Sequence, residues 1–382
     1  MTQRAFMPPQ RLLLGPGPSP VAPSVLRALS LPTVGHLDPE LFIAMDEIRA
    51  NLRGIFGTQN PATFAISGTG TSGMEAVLAN LIEPGDGVLV ATHGYFGARV
   101  AEIAARCGGD VIRVDGEWGK PSDPQRARDA ARGKSIQVVA VVHAETSTGV
   151  RQELAPWRDL AAEHGALLCV DAVTSLGCIP IEVDANGVDG IWSCTQKGLS
   201  STPGLAPVSF SPRAVERVRA RKTPVRSFYF DLRLLLDFWD APHAYHHTIS
   251  SNLLYGLHEA TRLVLEEGLA ARFERHERVA AAFRESASRI GLEAFVEEGA
   301  RLPQLTTLRI PGGVDDLRVR TRMLAEHGIE IGGGLGALKG KLWRVGLMGH
   351  GAVESNAQRC CEALAQLLES ERAAAPRAEP RR

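Results

Sequence analysis

Residues 137–171, QVVAVVHAETSTGVRQELAPWRDLAAEHGALLCVD, hold two mostly apolar runs on either side of a segment with helical spacing. Continuous apolar runs such as 137–143 and 166–171 are typical of strands that are buried on both faces. Between them, the apolar residues of 155–164 recur every three or four positions, as they do on one face of a helix. The order strand, helix, strand predicts a parallel β-α-β unit.

The same alternation extends outward on both sides, from about residue 71 to about residue 211. It predicts an α/β domain with a mainly parallel sheet, in which every strand is buried on both faces. Further strands are predicted at 87–92, 111–114, 190–195 and 207–210, and further helices at 40–56, 72–82, 96–106 and 124–131.

The chain divides into four predicted parts. Residues 1–23 are rich in Pro and Gly and form an extended arm, and 24–268 form the large domain. Gly268 interrupts a long helical pattern, and after it a smaller α+β domain occupies 269–370. Residues 371–382, rich in Ala, Pro and Arg, form a disordered tail. In the small domain, strands are predicted at 305–310, 329–333 and 341–347, and helices at 314–326 and 352–368.

The composition excludes several classes of function. The 382-residue chain carries 42 basic and 43 acidic residues, so it lacks the positive field that favours nucleic acid or an anionic membrane as a partner. No stretch approaches the roughly 18 uninterrupted apolar residues of a membrane span, and no secretory signal is visible. The six cysteines form no CxxC pair, which indicates core thiols in a reducing, cytoplasmic compartment.

Polar residues follow three predicted buried strands, at the edge of the sheet where ligands of α/β proteins bind: His143 and Glu145, then Asp171, then Gln196 and Lys197. Two of them, Asp171 and Lys197, are charged residues whose burial needs an explanation. Asp171 ends the run 166–171, and a carboxylate there is costly to bury without a cationic partner. Lys197 follows the run 190–195 and is the only one of six lysines in such a context. A helix cap or a structural ion pair remains an alternative explanation for each residue.

A glycine-rich turn, SGTGTSG at 67–73, opens the first helix of this domain. It matches the dinucleotide-binding pattern GxGxxG, which would favour a nicotinamide-dependent dehydrogenase. The next strand, however, ends in Thr92 and His93, without the acidic residue that would hold a ribose. An anion site at the start of the helix is the better interpretation, and a tight structural turn is the alternative.

Together, the turn, Asp171 and Lys197 match the requirements of pyridoxal phosphate. The helix start would take the phosphate, Asp171 would pair with the protonated ring nitrogen, and Lys197 would form a Schiff base with the aldehyde.

The sequence resembles the fold-type I, class V pyridoxal-phosphate aminotransferases, and most of all their alanine–glyoxylate and serine–pyruvate branch. The resemblance extends from about residue 12 to about residue 368. It implies a large domain with a mainly parallel sheet of the seven-stranded type and a smaller C-terminal domain. The matching motifs are SGTGTSGMEA (67–76), HAETSTGV (143–150), CVDAVTSLG (169–177), SCTQKGLSSTPG (193–204), AYHHT (244–248), GGGLG (332–336) and WRVGLMG (343–349).

The resemblance also implies a role for each residue of the site. Lys197 would be the catalytic lysine, and Asp171 would bind the ring nitrogen of the cofactor. Ser147 would hydrogen-bond the ring hydroxyl, and Phe96 would stack on the ring. The phosphate would be held by Thr69, Gly70, Thr71 and Gln196.

The resemblance implies that the site is shared between the subunits of a homodimer. Tyr245 and Thr248 would reach the phosphate of the other subunit. Arg344 would bind the α-carboxylate of the substrate through a bidentate pair. Gly35 would allow the backbone to approach the substrate, although a plain loop glycine is the alternative.

The implied reaction is a ping-pong transfer of an amino group from alanine or serine to glyoxylate or pyruvate. Serine–glyoxylate and ureidoglycine–glyoxylate aminotransferases remain alternatives, and Arg344 disfavours 2-aminoethylphosphonate because that donor has no carboxylate. Asn252 would contact the donor side chain or cap a helix. A catalytically silent relative would lack Lys197 or Asp171, and a cysteine desulfurase would need a nucleophilic Cys on a loop, which is not found.

No metal is expected. His243, His246 and His247 are close in sequence, but no acidic residue or second cluster accompanies them.

Overall fold

The computed structural model describes residues 4–374 of the chain. Its strands are β1 (Leu12–Leu13), β2 (Ala62–Gly68), β3 (Gly87–Thr92), β4 (Asp110–Asp115), β5 (Val138–Val142), β6 (Ala144–Glu145), β7 (Val150–Arg151), β8 (Leu167–Asp171), β9 (Gly190–Trp192), β10 (Gly204–Phe210), β11 (Leu305–Arg309), β12 (Ile329–Glu330), β13 (Gly332–Gly333) and β14 (Leu342–Gly346). Its helices are α1 (Pro23–Leu29), α2 (Pro39–Phe56), α3 (Gly70–Leu81), α4 (Tyr95–Arg106), α5 (Pro124–Ala131), α6 (Ala155–Glu163), α7 (Pro212–Arg219), α8 (Leu232–Trp239), α9 (Ser251–Glu267), α10 (Leu269–Arg289), α11 (Asp316–His327) and α12 (Glu354–Ala374).

A seven-stranded sheet forms the centre of the large domain, in the order β2-β10-β9-β8-β5-β3-β4. All neighbouring strands are parallel except β10, which runs antiparallel to both β2 and β9. The predicted α/β fold with a mainly parallel sheet is therefore confirmed. The parallel strands point their carboxyl ends to one edge, where Asp171 ends β8.

The sheet differs from its prediction at both margins. β2 was not predicted, although its first five residues are buried, because small residues such as Ala62, Ala65 and Ser67 give it only a weak apolar pattern. β4 was predicted to be buried on both faces, and this is wrong. Only Val114 of β4 is buried, because the strand lies at the edge of the sheet and has one neighbour.

The large-domain core consists of strands β3, β5 and β8, buried along their length, together with the inward faces of the surrounding helices. Complete burial of an aliphatic side chain contributes about 1.5–3 kcal/mol, so this layer accounts for much of the stability of the fold. The largest fully buried side chains in this core include Trp157, Trp192, Trp239, Phe64 and Phe210.

The C-terminal part of the chain has a second sheet, β11-β14-β13, and a separate core of buried residues. Trp343 of β14 and Phe283 of α10 are fully buried there. Helices α9 and α10 are separated by Gly268, whose backbone φ of +80° ends one helix and starts the next. The predicted helix break thus lies at Gly268, and the domain boundary at this residue stays a prediction.

The predicted arm is not entirely irregular. β1 pairs in parallel with β12, Leu14 is buried in the small-domain core, and α1 begins at Pro23. At the other end, α12 continues to Ala374, past the predicted start of the tail at 371. Glu371 is buried and forms ion pairs with two arginines, which explains the longer helix; the rest of the predicted tail, 375–382, lies outside the described residues.

Candidate active site

Three elements of the large domain meet at the carboxyl edge of the sheet. β8 ends at Asp171, and α3 begins at Gly70. After β9, the chain continues alongside β10, where the N–H groups of Ser193 and Thr195 donate to carbonyls of that strand. Lys197 follows two residues later. The fold thus brings the predicted anion site, carboxylate and lysine to one place.

Lys197 lies under the N-terminal arm, and its Nζ donates a hydrogen bond to the carbonyl oxygen of Pro16. Burial lowers the pKa of the Lys197 ammonium; the charge of Arg344 lowers it further, and that of Asp171 opposes the shift. An amine with a lowered pKa is available as a proton acceptor nearer to neutral pH.

Asp171 is buried, and its Oδ1 accepts a hydrogen bond of 2.8 Å from the N–H of Val173. Burial raises the pKa of this carboxyl to about 7, and the nearby positive charge of Lys197 opposes the increase. A cationic group placed against Asp171 would lower this pKa again and keep the carboxylate ionised.

The start of α3 is suited to an anion. Thr69 is the residue that precedes the helix, and its side chain makes no capping hydrogen bond, so the first N–H groups of the helix remain for a ligand. Gly70 is packed so closely that an added Cβ would lie 2.8 Å from Cγ2 of Val173. Nearby, Oε1 of Gln196 is buried without a hydrogen-bond partner among the described residues.

Glu145 is a buried carboxylate whose role the sequence did not reveal. Its Oε2 accepts from the N–H groups of Phe96 and Gly97 at 3.0 and 3.1 Å, and its Oε1 accepts from Ser147 N and Oγ at 3.0 and 2.6 Å. Burial raises the pKa of Glu145, and these four bonds act in the opposite direction. Glu145 therefore fixes two predicted site residues, Phe96 and Ser147, relative to each other.

The side of the site formed by α4 is aromatic. The guanidinium of Arg99 lies 5.2 Å from the ring centre of Tyr95 and 5.1 Å from that of Phe96. Arg99 Nη1 also donates to Oγ1 of Thr71 at 3.3 Å, which connects this helix to the start of α3. The Phe96 ring thus forms a cation–π contact with Arg99.

Arg344 lies on β14 of the small domain and is 7% exposed. Its Nε donates to the carbonyl of Gly333 at 2.7 Å, and its Nη1 donates to that of Thr146 at 3.3 Å. Burial lowers the pKa of Arg344 to about 10, which leaves the guanidinium charged at neutral pH. Through its bond to Thr146, the residue before Ser147, the Arg344 guanidinium lies beside the predicted site.

Tyr245, Thr248 and Gly35, the remaining predicted site residues, lie at the surface of the chain. Tyr245 is 64% exposed, and its ring centre is 5.4 Å from that of His36. Thr248 and Gly35 are exposed, and no described atom lies within 4 Å of a Cβ built on Gly35. The approach of the substrate to the Gly35 backbone stays a prediction.

Asn252 has its hydrogen bonds within the chain. Its Oδ1 accepts from Thr33 Oγ1 at 2.6 Å, and its Nδ2 donates to the carbonyls of Leu29 and Leu31. The residue that caps α9 is Ser250, not Asn252. Asn252 instead fastens segment 29–33 to the start of α9.

Two residues that contact the lysine loop were missed. Ser19 donates from Oγ to the carbonyl of Lys197 at 2.7 Å. Arg272 of α10 is buried and donates to the carbonyls of Gly177 and Gly198 at 2.7 and 2.6 Å. Neither residue stands in a distinctive motif, so only the three-dimensional contacts reveal them.

The three histidines near residue 245 have other partners. His243 stacks on Phe42, with ring centres 3.9 Å apart, and His247 lies 2.9 Å from Ser67 Oγ. Within residues 4–374, no three potential ligands are grouped for a metal ion. In the same range, no helix is both long and apolar enough to cross a membrane.

Comparison with known proteins gives consistent relationships over nearly the whole chain. The model of the family "aminotransferase class-V" matches residues 20–347. The (S)-ureidoglycine–glyoxylate transaminase of Bacillus subtilis is 39% identical over 93% of this chain and 89% of its own length. The alanine–glyoxylate aminotransferase of Rattus norvegicus is 40% identical over 94% of this chain and 88% of its own length.

The structural similarity is equally extensive. The crystal structure of alanine–glyoxylate aminotransferase from Nostoc sp. superposes with a TM-score of 0.95, at 48% identity, and covers 96% of this chain and 98% of that one. The protein is therefore an aminotransferase, and the chain belongs to the class V aminotransferase family.

Proposed function

We propose that this aminotransferase transfers the amino group of a small amino acid, alanine or serine, to glyoxylate, with pyridoxal phosphate as cofactor. The observation that carries the proposal is the convergence of Lys197, Asp171 and Arg344 beside the open start of α3. Glyoxylate as the acceptor is supported by the names of the relatives from B. subtilis, rat and Nostoc.

The residues present fit this cofactor. The start of α3, with Thr69, Gly70 and Thr71, and the side-chain amide N–H of Gln196 would hold a phosphate. When bound, pyridoxal phosphate supplies an aldehyde that takes up the donor amino group and a ring that accepts the electron pair of the broken Cα–H bond. Asp171 would keep the ring nitrogen protonated, Ser147 would bind the ring hydroxyl, and Phe96 would cover the ring.

The chain's own groups then have distinct tasks. Arg344 binds the carboxylate of the amino acid and fixes the position of its Cα. Lys197 Nζ accepts the proton from Cα and releases it later in the same half-reaction, because burial lowers the pKa of its ammonium. The arm covers the lysine and limits the access of water.

We propose that the enzyme is a homodimer in which Tyr245 and Thr248 complete the phosphate site of the partner subunit. Tyr245 and Thr248 are exposed, whereas His246 and His247 between them are buried. The side chains of Tyr245 and Thr248 are therefore accessible to a partner subunit. Gly35, next to Tyr245 through the His36 contact, belongs to the same shared surface. The exposed apolar side chains Leu31, Leu37 and Ile43 are available for this interface.

For the compartment, we propose the cytoplasm. All six cysteines are free thiols, and five of them are buried, as expected in a reducing environment.

A second candidate donor is (S)-ureidoglycine, which is favoured by the 39% identity to the B. subtilis transaminase. Arg344 would bind the carboxylate of this donor as it would that of alanine. Rates with alanine, serine, (S)-ureidoglycine and 2-aminoethylphosphonate, each with glyoxylate or pyruvate as acceptor, should identify the preferred pair. We expect the three carboxylate donors to react and 2-aminoethylphosphonate to fail.

Borohydride reduction of the holoenzyme, followed by peptide mapping, tests the assignment of the lysine. We expect the cofactor on Lys197, and Lys197→Ala should retain no covalent label and no turnover. Lys134→Ala serves as the control, because Lys134 is exposed on the surface. A label on another lysine would refute the proposed site.

A further inference from the structure

The N-terminal arm connects the small domain to the lysine loop. Its first half belongs to the small domain, since β1 pairs with β12 and the carbonyl of Leu14 accepts from the N–H of Gly346 at 2.8 Å. Gly346 ends β14, the strand that carries Arg344. This half of the arm is therefore fixed to the strand that we assign to carboxylate binding.

The second half of the arm contacts Lys197 at both ends of the residue. The carbonyl of Pro16 accepts from Nζ at the tip of the side chain. At the backbone, Ser19 N donates to the carbonyl of Gln196 at 2.9 Å, and Ser19 Oγ donates to that of Lys197 at 2.7 Å. The arm thus holds the backbone of Lys197 through Ser19 and the amino group of its side chain through Pro16.

Gly17 lies between these two contacts, and a larger residue there would force the arm or the Lys197 side chain to move. Its φ is +119°, and an added Cβ would lie 2.6 Å from Cδ and 2.7 Å from Cε of Lys197. Gly15, two residues earlier in the same arm, is different. A Cβ there would meet its nearest atom, Glu330 Oε1, at 3.6 Å, which is an ordinary contact.

We propose that Gly17 and Ser19 are positioning residues that hold Lys197 for proton transfer, and that the arm couples the position of the small domain to this lysine. The proposal rests on the proposed function, because it takes Lys197 as the reacting lysine. A base moved by about 1 Å from its productive position can lose a factor of about 100 in rate, so contacts of this kind affect catalysis without touching the substrate.

The test compares Gly17→Ala with Gly15→Ala, the same substitution at two positions of one arm. In Gly17→Ala, the single-turnover rate with saturating donor should fall about 100-fold, while the KM for the donor stays unchanged. The apoprotein of this variant should also bind pyridoxal phosphate covalently more slowly, as measured by the appearance of borohydride-reducible label. Gly15→Ala should match the wild type in both measurements.

Ser19→Ala is the second variant, and it keeps the proposal testable if Gly17→Ala does not fold. It removes the hydrogen bond to the Lys197 carbonyl and the 3.4 Å contact with Ser200 Oγ, and we expect a lower single-turnover rate with an unchanged donor KM. Wild-type rates in folded Ser19→Ala, or equal losses in Gly15→Ala and Gly17→Ala, would overturn the proposal. The borohydride label on the wild type decides separately whether Lys197 is the reacting residue.

Discussion

At the scale of single residues, burial acts in opposite directions on the two charged groups of the site. It raises the pKa of Asp171 to about 7 and lowers that of Lys197. Both shifts favour the neutral form of the group. A bound cation or anion can then decide the charge of each residue.

The first prediction concerns pH and the stability of the cofactor-free enzyme. Because the pKa of Asp171 is raised from 3.8 to about 7 on folding, the folded state holds one more proton than the unfolded state between these values. Stability conferred by Asp171 is therefore full below pH 4 and is lost as the pH rises towards 7.

Urea denaturation of the wild type and Asp171→Asn at pH 5 and pH 8 measures this loss. As the pH rises, the free energy of unfolding of the wild type should fall by about 2–4 kcal/mol relative to that of the variant. A pH-independent difference would show that Asp171 titrates normally.

In the holoenzyme, Asp171→Asn should lower the turnover about 1000-fold, because the amide cannot stabilise a cationic ring nitrogen.

The second prediction concerns carboxylate binding by Arg344. Arg344→Lys keeps the charge but loses the planar fork, so the KM values for amino acid and oxo acid should rise together. Arg344→Ala should cost roughly 2–4 kcal/mol in kcat/KM for alanine, serine and glyoxylate alike, since all three carry a carboxylate. If one of them is spared in steady-state kinetics, another residue binds its carboxylate.

At the scale of secondary-structure elements, the sequence predicted best where burial is complete. The continuous apolar run of β8 identified both the strand and its carboxyl end at Asp171. β4 was misjudged because an apolar run on an edge strand looks like one in the middle of a sheet. The reversed direction of β10 was not predictable either, since strand direction depends on the connection and leaves no pattern within the strand.

The third prediction concerns the start of α10. Arg272 is 5% exposed, pairs with Glu267 and donates to two backbone carbonyls of the active-site loops. Arg272→Met leaves these carbonyls without their donor and should lower the free energy of unfolding by about 2–4 kcal/mol.

Arg262→Met is the matched control, because Arg262 also forms ion pairs with glutamate side chains, here Glu259 and Glu266, but on an exposed face of α9. The free energy of unfolding of Arg262→Met should differ little from that of the wild type, because exposed ion pairs contribute little to stability. Equal effects of the two substitutions in urea titrations would show that the loop contacts of Arg272 add nothing.

At the scale of the whole molecule, the fourth prediction concerns the shared site. Sedimentation at micromolar concentration should give about twice 41.0 kDa. Tyr245→Ala should retain the dimer but bind the cofactor poorly. Lys197→Ala and Tyr245→Ala are each expected to be inactive.

Mixing these two variants under conditions of subunit exchange should restore activity. If Tyr245 serves the partner subunit, each mixed dimer contains one site with both defects and one site with neither. If Tyr245 serves its own subunit, every site carries one defect and no activity returns. A mixture of Lys197→Ala with itself after the same exchange is the control.

How much of the site could be predicted also depends on distance along the chain. Asp171, Lys197 and the turn at 67–73 were recognisable because each stands at the end of a local pattern. Ser19 was not, because its partner Lys197 is 178 residues away and an ordinary serine in a Pro-rich segment has no pattern of its own. Contacts of this kind are set by tertiary packing alone.

The attachment of the arm also has a consequence for biosynthesis. The arm is synthesised long before its partners; Arg11, for example, donates to the carbonyl of Leu324 across 313 residues. The large-domain sheet can form while the arm is still without its partner strand β12. Closing so long a loop comes late, because its entropic cost is offset only when the small domain exists. A nascent chain without β12 therefore has both the lysine and the arm, but the arm lacks its attachment to the small domain, and chemical competence comes only once that domain has folded.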